Sequence, residues 1–273
     1  MGFWSRLTLN EERISQGVTK EPIDVALTLA MADLKARFID VDRGTVRYGS
    51  IRGSEEFEHY RELASRLRSF DLESLVNRDQ RLSFWINIYN TLVIHGVAEL
   101  GLERSVREVS RFFDRVEYEI GGHRFSLNDI EHGILRGNQR PPYKLLRPFR
   151  GRDPRWEFAV RPMDPRIHFA LVCGARSCPP IGFYEADQID FQLDLAATSF
   201  INSPQVQVFP EERAISISMI FKWYRRDFGG TDEALVETLL KFLDEGQKKD
   251  FLKHHRERVR IRYQPYDWRL NKE

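Results

Sequence analysis

Asp79-Gln-Arg-Leu-Ser-Phe-Trp-Ile-Asn-Ile-Tyr-Asn-Thr-Leu-Val-Ile-His95 is the stretch on which the reading of this chain turns. Phe84, Trp85, Ile86, Ile88, Tyr89, Leu92, Val93, Ile94 and Val97 leave almost no polar face. A helix running from Asp79 to about Leu100 and stopping at Gly101 should therefore be buried nearly all round. Ser83, Asn87, Asn90, Thr91 and His95 recur at three- and four-residue steps and so share one stripe of it. Buried amides and imidazoles need partners, since each unsatisfied group costs roughly 1–3 kcal/mol. Two readings are open: the stripe bonds to nearby backbone and fixes the register of a central helix, or it lines a pocket.

Shorter elements lie on either side. Residues 22–39 read as an amphipathic helix opened by Pro22, and Gly44-Thr-Val-Arg-Tyr as a short extended piece. Ser54 caps a second helix with Glu55 and Glu56 in its first turn. Val116–Ile120 and His123–Phe125 flank Gly121-Gly122 and predict a hairpin. Ser126 or Asn128 caps a short helix through Leu135, and a Gly-, Pro- and Arg-rich loop follows from Gly137 to about Arg152. Residues 186–201 read as a helix, and Val206-Gln-Val-Phe with Ala214-Ile-Ser-Ile as a second hairpin. Helices are expected at about 219–227 and 232–245, then an edge strand at Arg258-Val-Arg-Ile-Arg-Tyr. The fold class is α+β: a helix-rich single domain with small antiparallel sheets or hairpins. Residues 1–20 are read as an N-terminal extension and 21–273 as the domain.

Composition excludes several classes. With 41% hydrophobic and 12% aromatic residues, a chain of 273 can bury a real core. The balance of 42 basic against 41 acidic residues sets up no field that would draw the whole molecule onto nucleic acid. No signal core and no apolar run of the roughly 18 residues a bilayer span requires are present, so a soluble, cytoplasmic protein is the expectation. There is no phosphate-cradling glycine loop, dinucleotide fingerprint or Gly-x-Ser-x-Gly elbow, and no cofactor is expected.

Asp164-Pro-Arg-Ile-His-Phe-Ala-Leu-Val-Cys-Gly-Ala-Arg-Ser-Cys-Pro-Pro180 holds both cysteines, with His168 five residues before Cys173. A soft nucleophile ending an apolar run near an imidazole is one form thiol chemistry takes, and two small hydrophobes filling a core is another. Two cysteines in so long a chain argue against a disulfide scaffold, and the pair Cys173 and Cys178 is not a Cys-x-x-Cys motif. His95, His132, His168 and the cysteines do not assemble the ligand spacing of a zinc site, so no metal is expected. Ile167–Cys173 suits a buried strand, whereas Asp164-Pro165 suits a helix start. In a helix Cys173 would sit near the C-terminal end, where the dipole raises a thiol pKa. In Leu127-Asn-Asp-Ile-Glu-His-Gly-Ile-Leu-Arg136 the apolar positions place Glu131 on another side of the cylinder. There it is either a base or orienting group, or part of a solvated face.

Phe84-Trp-Ile-Asn-Ile-Tyr-Asn90, the Leu127–Arg136 and Asp164–Pro180 motifs and Tyr266-Asp-Trp-Arg-Leu-Asn271, in that order, resemble the domain-of-unknown-function family 547, from about residue 20 to the C-terminus. The resemblance is to the stand-alone bacterial form; Arg269 stands where relatives often carry a small polar residue. It carries no activity to transfer, but its pattern includes the positions of Asn87, Glu131 and Cys173, which implies one pocket.

Three functions are carried forward. The first is a thiol-dependent hydrolase or transferase on Cys173, of papain-like arrangement, with His132, His168 or His95 as base and Asn87 or Glu131 orienting. The second is a binding module for a small-molecule or protein ligand, anionic in character, with Asn90, His95, Arg136 and Arg176 among the contacts. The third is thiol redox exchange between Cys173 and Cys178. Asn87, His95, Glu131, His132, His168 and Cys173 are expected to converge on one cleft bordered by the arginine-rich loop.

Overall fold

The computed structural model describes residues 5–11, 22–40 and 43–273. Its architecture is helix-rich α+β with small sheets of two or three strands. The chain divides into two compact units. The first gathers the described residues up to Asp164 with Leu171–Ile189 and Trp268–Glu273; the second gathers Pro165–Ala170 and Asp190–Asp267.

The first unit contains, in chain order, β1 (Leu7–Thr8), α1 (Ile23–Phe38), β2 (Ile39–Asp40), β3 (Thr45–Val46), α2 (Tyr48–Ile51), α3 (Glu55–Arg66), α4 (Arg78–Glu99), α5 (Phe112–Arg115), β4 (Val116–Ile120) and β5 (His123–Ser126). Helix α4 is the buried helix expected from its sequence: Leu82, Trp85, Ile86, Leu92, Val93 and Val97 are wholly inaccessible. It begins at Arg78 because Asn77 forms a capping box with Gln80, each side chain accepting from the other residue's backbone N–H. Ser54 caps α3 by accepting from Phe57 N at 3.2 Å. The glycine pair closes the β4–β5 hairpin with both φ values positive, 56° and 74°, and Ile120 faces His123 in register.

β1 lies within the stretch read as an extension, yet it pairs in parallel with β4, Leu7 against Val116. Arg6 and Thr8 deliver a guanidinium and a hydroxyl to the fully buried Glu117, the hydroxyl at 2.9 Å. Residues 1–4 and 12–20 of that stretch lie outside the described residues.

After β5 the chain enters a π-helix, Asp129–Leu135, where the sequence suggested ordinary helix. Ser126 Oγ accepts from Asp129 N at 3.1 Å while the Asp129 carboxylate accepts from Ser126 N at 3.1 Å, so the start is capped reciprocally. Backbone bonds then run five residues back, from Arg136 N to Glu131 O and from Asn138 N to Gly133 O, both 2.9 Å. The wider winding turns inward a face that ordinary helical spacing would leave solvated. Asn128, Glu131 and His132 are 5%, 7% and 0% exposed, so the solvated-face alternative for Glu131 falls. Gly133 is obligatory, because a Cβ there would stand 2.4 Å from the Phe149 ring.

The second unit holds α6 (Ile189–Asn202) from Asp190 onward, β6 (Val206–Phe209), β7 (Ala214–Ile217), α7 (Met219–Trp223), α8 (Asp232–Phe242), α9 (Gln247–His255) and β8 (Arg260–Tyr263). Its sheet runs β6-β7-β8, with β6 antiparallel to β7 and β8 added in parallel as an edge. Phe169, Phe200, Phe221 and Phe228 form its aromatic core, with ring centroids 5.2–6.4 Å apart. The segment left between helix and strand in the sequence is neither: Pro165–Phe169 is a short 3₁₀ turn and residues 170–173 are irregular. Cys173 therefore ends no helix.

Candidate functional site

The cysteine loop is built from both of its flanks. Before it, Asn90 on α4 accepts from Val172 N at 3.0 Å through Oδ1 and donates through Nδ2 to Gly182 O at 3.3 Å. Gly174 then turns the chain with φ +76°, a conformation other residues adopt with strain. Beyond the turn, Asn271 N donates to Gly174 O at 3.0 Å, Arg176 N donates to Arg269 O at 2.9 Å, and Ala175 bridges Leu270. This contact is made by the backbone carbonyl of Arg269.

Within this frame Cys173 and Cys178 are joined as a disulfide, with Cα atoms 6.3 Å apart, inside the range such bonds require. The sequence argued against a disulfide scaffold and kept exchange between these two cysteines as one alternative. The structure pairs them, because the turn from Gly174 to Ser177, closed by Cys178 N donating to Ala175 O at 3.0 Å, folds the second cysteine back onto the first. The Cys173 N–H donates to Sγ of Cys178 at 3.0 Å. Both cysteines are half-buried, and Arg176 between them is exposed.

A second grouping surrounds the π-helix. Tyr89 on α4 donates its hydroxyl to Glu131 Oε2 at 3.2 Å. His132 Nδ1 lies 3.6 Å from Glu131 Oε1 and 3.0 Å from Arg136 Nη1, and the Tyr143 ring meets the imidazole edge-on. Arg136, 3% exposed, also donates to Arg140 O at 3.2 Å. An acid, an imidazole and a guanidinium are thus brought together in a buried setting.

The polar stripe of α4 does both things the sequence left open. Asn87 bonds the backbone of Tyr184 twice, accepting at 2.9 Å and donating at 2.8 Å. His95 Nδ1 meets Tyr118 Oη at 2.7 Å, and Tyr118 Oη meets Tyr60 Oη at 2.6 Å. Burial raises the pKa of both phenols, so they stay neutral donors and acceptors. At the same time Ser83, Asn87 and Thr91 line a cleft of about 440 Å³ with Phe84, Phe183 and Tyr184. His168, which the sequence offered as a base, belongs to the second unit: Nε2 lies 2.7 Å from Asp227 Oδ2, both are buried, and the ring stacks on Tyr224 at 3.8 Å.

The bonds thus join Glu131, His132 and Arg136 directly, and tie Asn90 to Val172 and Gly182, Asn87 to Tyr184, His95 to Tyr118 and His168 to Asp227. Sequence reasoning passed over Tyr89 because it sat among apolar residues. It passed over Asp227 because nothing in Arg225-Arg-Asp-Phe-Gly marks a histidine partner. Among the described residues no three His, Cys, Asp or Glu side chains are placed to hold a metal ion, and no helix is long and apolar enough to cross a membrane.

Residues 73–201 match the family model described as "Protein of unknown function, DUF547". That span contains α4, the π-helix and the cysteine loop. Among curated proteins and among solved structures nothing matches the chain.

Proposed function

With residues 73–201 identifying it as a DUF547 protein, we propose that this chain performs thiol–disulfide exchange at the Cys173–Cys178 pair. The observation that carries the reading is the pairing of two half-buried sulfurs across so short a loop. A disulfide stabilises a fold chiefly by the loop it closes, and one five residues in span contributes roughly 2 kcal/mol against about 4.7 for a hundred-residue loop. The pair is weakly placed as a staple and well placed as a centre that opens and closes.

The direction of exchange follows from the Cys173 N–H. It points at Sγ of Cys178 at 3.0 Å and stabilises negative charge there, which makes Cys178 the better leaving thiolate. A substrate thiolate attacks Cys173 Sγ, the intramolecular S–S bond breaks, and the electron pair leaves on Cys178. A second substrate thiolate then attacks the mixed disulfide at the substrate sulfur. The Cys173 thiolate departs, and two electrons have passed from two substrate thiols to the protein. Preorganisation by Asn90 and by the C-terminal segment holds the loop through both states.

The experiment is trapping. Cys178→Ser incubated with oxidised glutathione should accumulate a mixed disulfide at Cys173, visible as a glutathione adduct by intact-mass spectrometry. The reduced wild type should return to the intramolecular disulfide instead. No adduct on either single-cysteine variant would overturn the reading.

A second reading, acyl transfer from reduced Cys173, is favoured by the buried Glu131–His132–Arg136 grouping in the same unit, an acid, imidazole and guanidinium of the kind that tune a base. It differs in requiring burst acylation of the reduced protein by an activated ester, lost in Cys173→Ser and in His132→Gln.

A further inference from the structure

Residues 137–152 carry five basic side chains, Arg140, Lys144, Arg147, Arg150 and Arg152, and no acidic one. In their midst Leu145 is 86% exposed, Leu146 56% and Tyr143 64%. Exposed apolar side chains scattered singly need no explanation, but adjacent leucines framed by arginines on one loop do.

The loop is also held in this form. Asn138 clamps both backbone groups of Phe149, donating to its O and accepting from its N at 3.0 Å each. The Phe149 ring is 1% exposed and fills the space that Gly133 leaves. On the near side, Tyr143 donates to Asn128 Oδ1 at 2.7 Å and Lys144 pairs with Asp114. These anchors secure the residues before and after the leucines, so Leu145 and Leu146 are presented outward on a braced arch.

Charge decides what covers them. Arg140, Arg147, Arg150 and Arg152 are all exposed, and guanidinium groups match phosphate. Phe191 and Leu195 on α6 form a contrasting exposed pair, 67% and 58%, flanked by Asp190 and Asp194, whose carboxylates both pair with Arg166. Helix α6 carries no basic residue of its own, so an anionic surface is attracted at the loop and not there.

We propose that the 137–152 loop docks the protein on an anionic lipid bilayer, with Leu145 and Leu146 entering the interfacial layer and Arg140, Arg147, Arg150 and Arg152 engaging lipid phosphates. The attachment is peripheral and reversible. Each arginine near such a surface strengthens binding about fivefold, and burial of each leucine by about tenfold. Salt should weaken the first contribution and leave the second.

Co-sedimentation of the full chain with vesicles tests this, comparing phosphatidylcholine alone with phosphatidylcholine doped with phosphatidylserine. The expected result is binding to the doped vesicles only, weakened by high sodium chloride. Leu145→Ser/Leu146→Ser and Arg147→Ala/Arg150→Ala should each lose about tenfold or more. These side chains are exposed, so the variants should melt with the wild type, which confirms that any loss belongs to the surface. Absence of binding to either vesicle would overturn the proposal. So would undiminished binding by both variants, or equal binding to neutral vesicles. Concentration-dependent self-association through the leucines, without vesicle binding, would instead assign the patch to a second copy of the chain.

Discussion

His168 and Cys173 stand five residues apart in one motif, and the fold treats them in opposite ways. The imidazole is buried in the second unit, bonded to the equally buried Asp227 and stacked on Tyr224. Cys173 belongs to the first unit, half-buried and closed onto Cys178 across a tight turn. A buried acid–imidazole pair of this kind is hard to disturb, because removing one partner strands the other in low dielectric. A disulfide over five residues can open at modest cost. The first arrangement is buried in the fold and the second is the one on which the proposed exchange rests, although in sequence the two look like one catalytic string.

The comparison breaks first at Asp227. Asp227→Ala should cost about 3–5 kcal/mol in urea or guanidinium titration, by stranding buried His168. A loss below about 1 kcal/mol would mean that His168 is not structural and returns as a candidate base. Next in size is Asn90→Leu. It orphans Val172 N–H and Gly182 C=O, which at roughly 1–3 kcal/mol each predicts about 3 kcal/mol together. It should also release the cysteine loop, so faster alkylation of reduced Cys173 is expected alongside the loss of stability.

Smaller again is the disulfide itself. Reduction, or Cys173→Ser/Cys178→Ser, should lower stability by roughly 2 kcal/mol or less, read from denaturant midpoints with and without dithiothreitol. A loss as large as that of Asp227→Ala would make the bond a staple and erase the contrast.

The smallest effect is at acid pH. The hydrogen bond from Arg155 holds the Asp153 carboxyl below its ordinary value of 3.8. A depressed folded pKa contributes stability above the unfolded value that is lost as pH falls through the folded one. Between pH 5 and the acid side of 3.8 the wild type should lose more stability than Arg155→Gln, whose Asp153 lacks that partner. Parallel pH profiles would contradict it.

Much of this was legible beforehand for physical reasons. The unbroken apolar surround of α4 could only be a buried helix, and Gly121-Gly122 between alternating residues could only be a tight hairpin. What stayed hidden depended on contacts distant in sequence or on winding. Periodicity assumes ordinary helical spacing, which left Glu131 open between a functional group and a solvated face, and the π-turn buries both it and His132. The partnership of Asp227 with His168 spans 59 positions and leaves no local trace. The cysteines matched no redox motif because their turn is longer than Cys-x-x-Cys, yet their Cα separation of 6.3 Å suits a bond. The stripe on α4 was read correctly as buried polarity in need of partners, but only coordinates could show Asn87 and Asn90 spending their amides on backbone.

The most direct measurement of the central claim is a redox titration of the purified chain in dithiothreitol or glutathione buffers, with both thiols quenched by alkylation and counted by mass spectrometry. The expected result is a single two-electron transition in which Cys173 and Cys178 appear and disappear together, with a midpoint above about −300 mV, where structural disulfides remain closed. Two thiols that stay free in every buffer, or a bond that survives well below that potential, would contradict it.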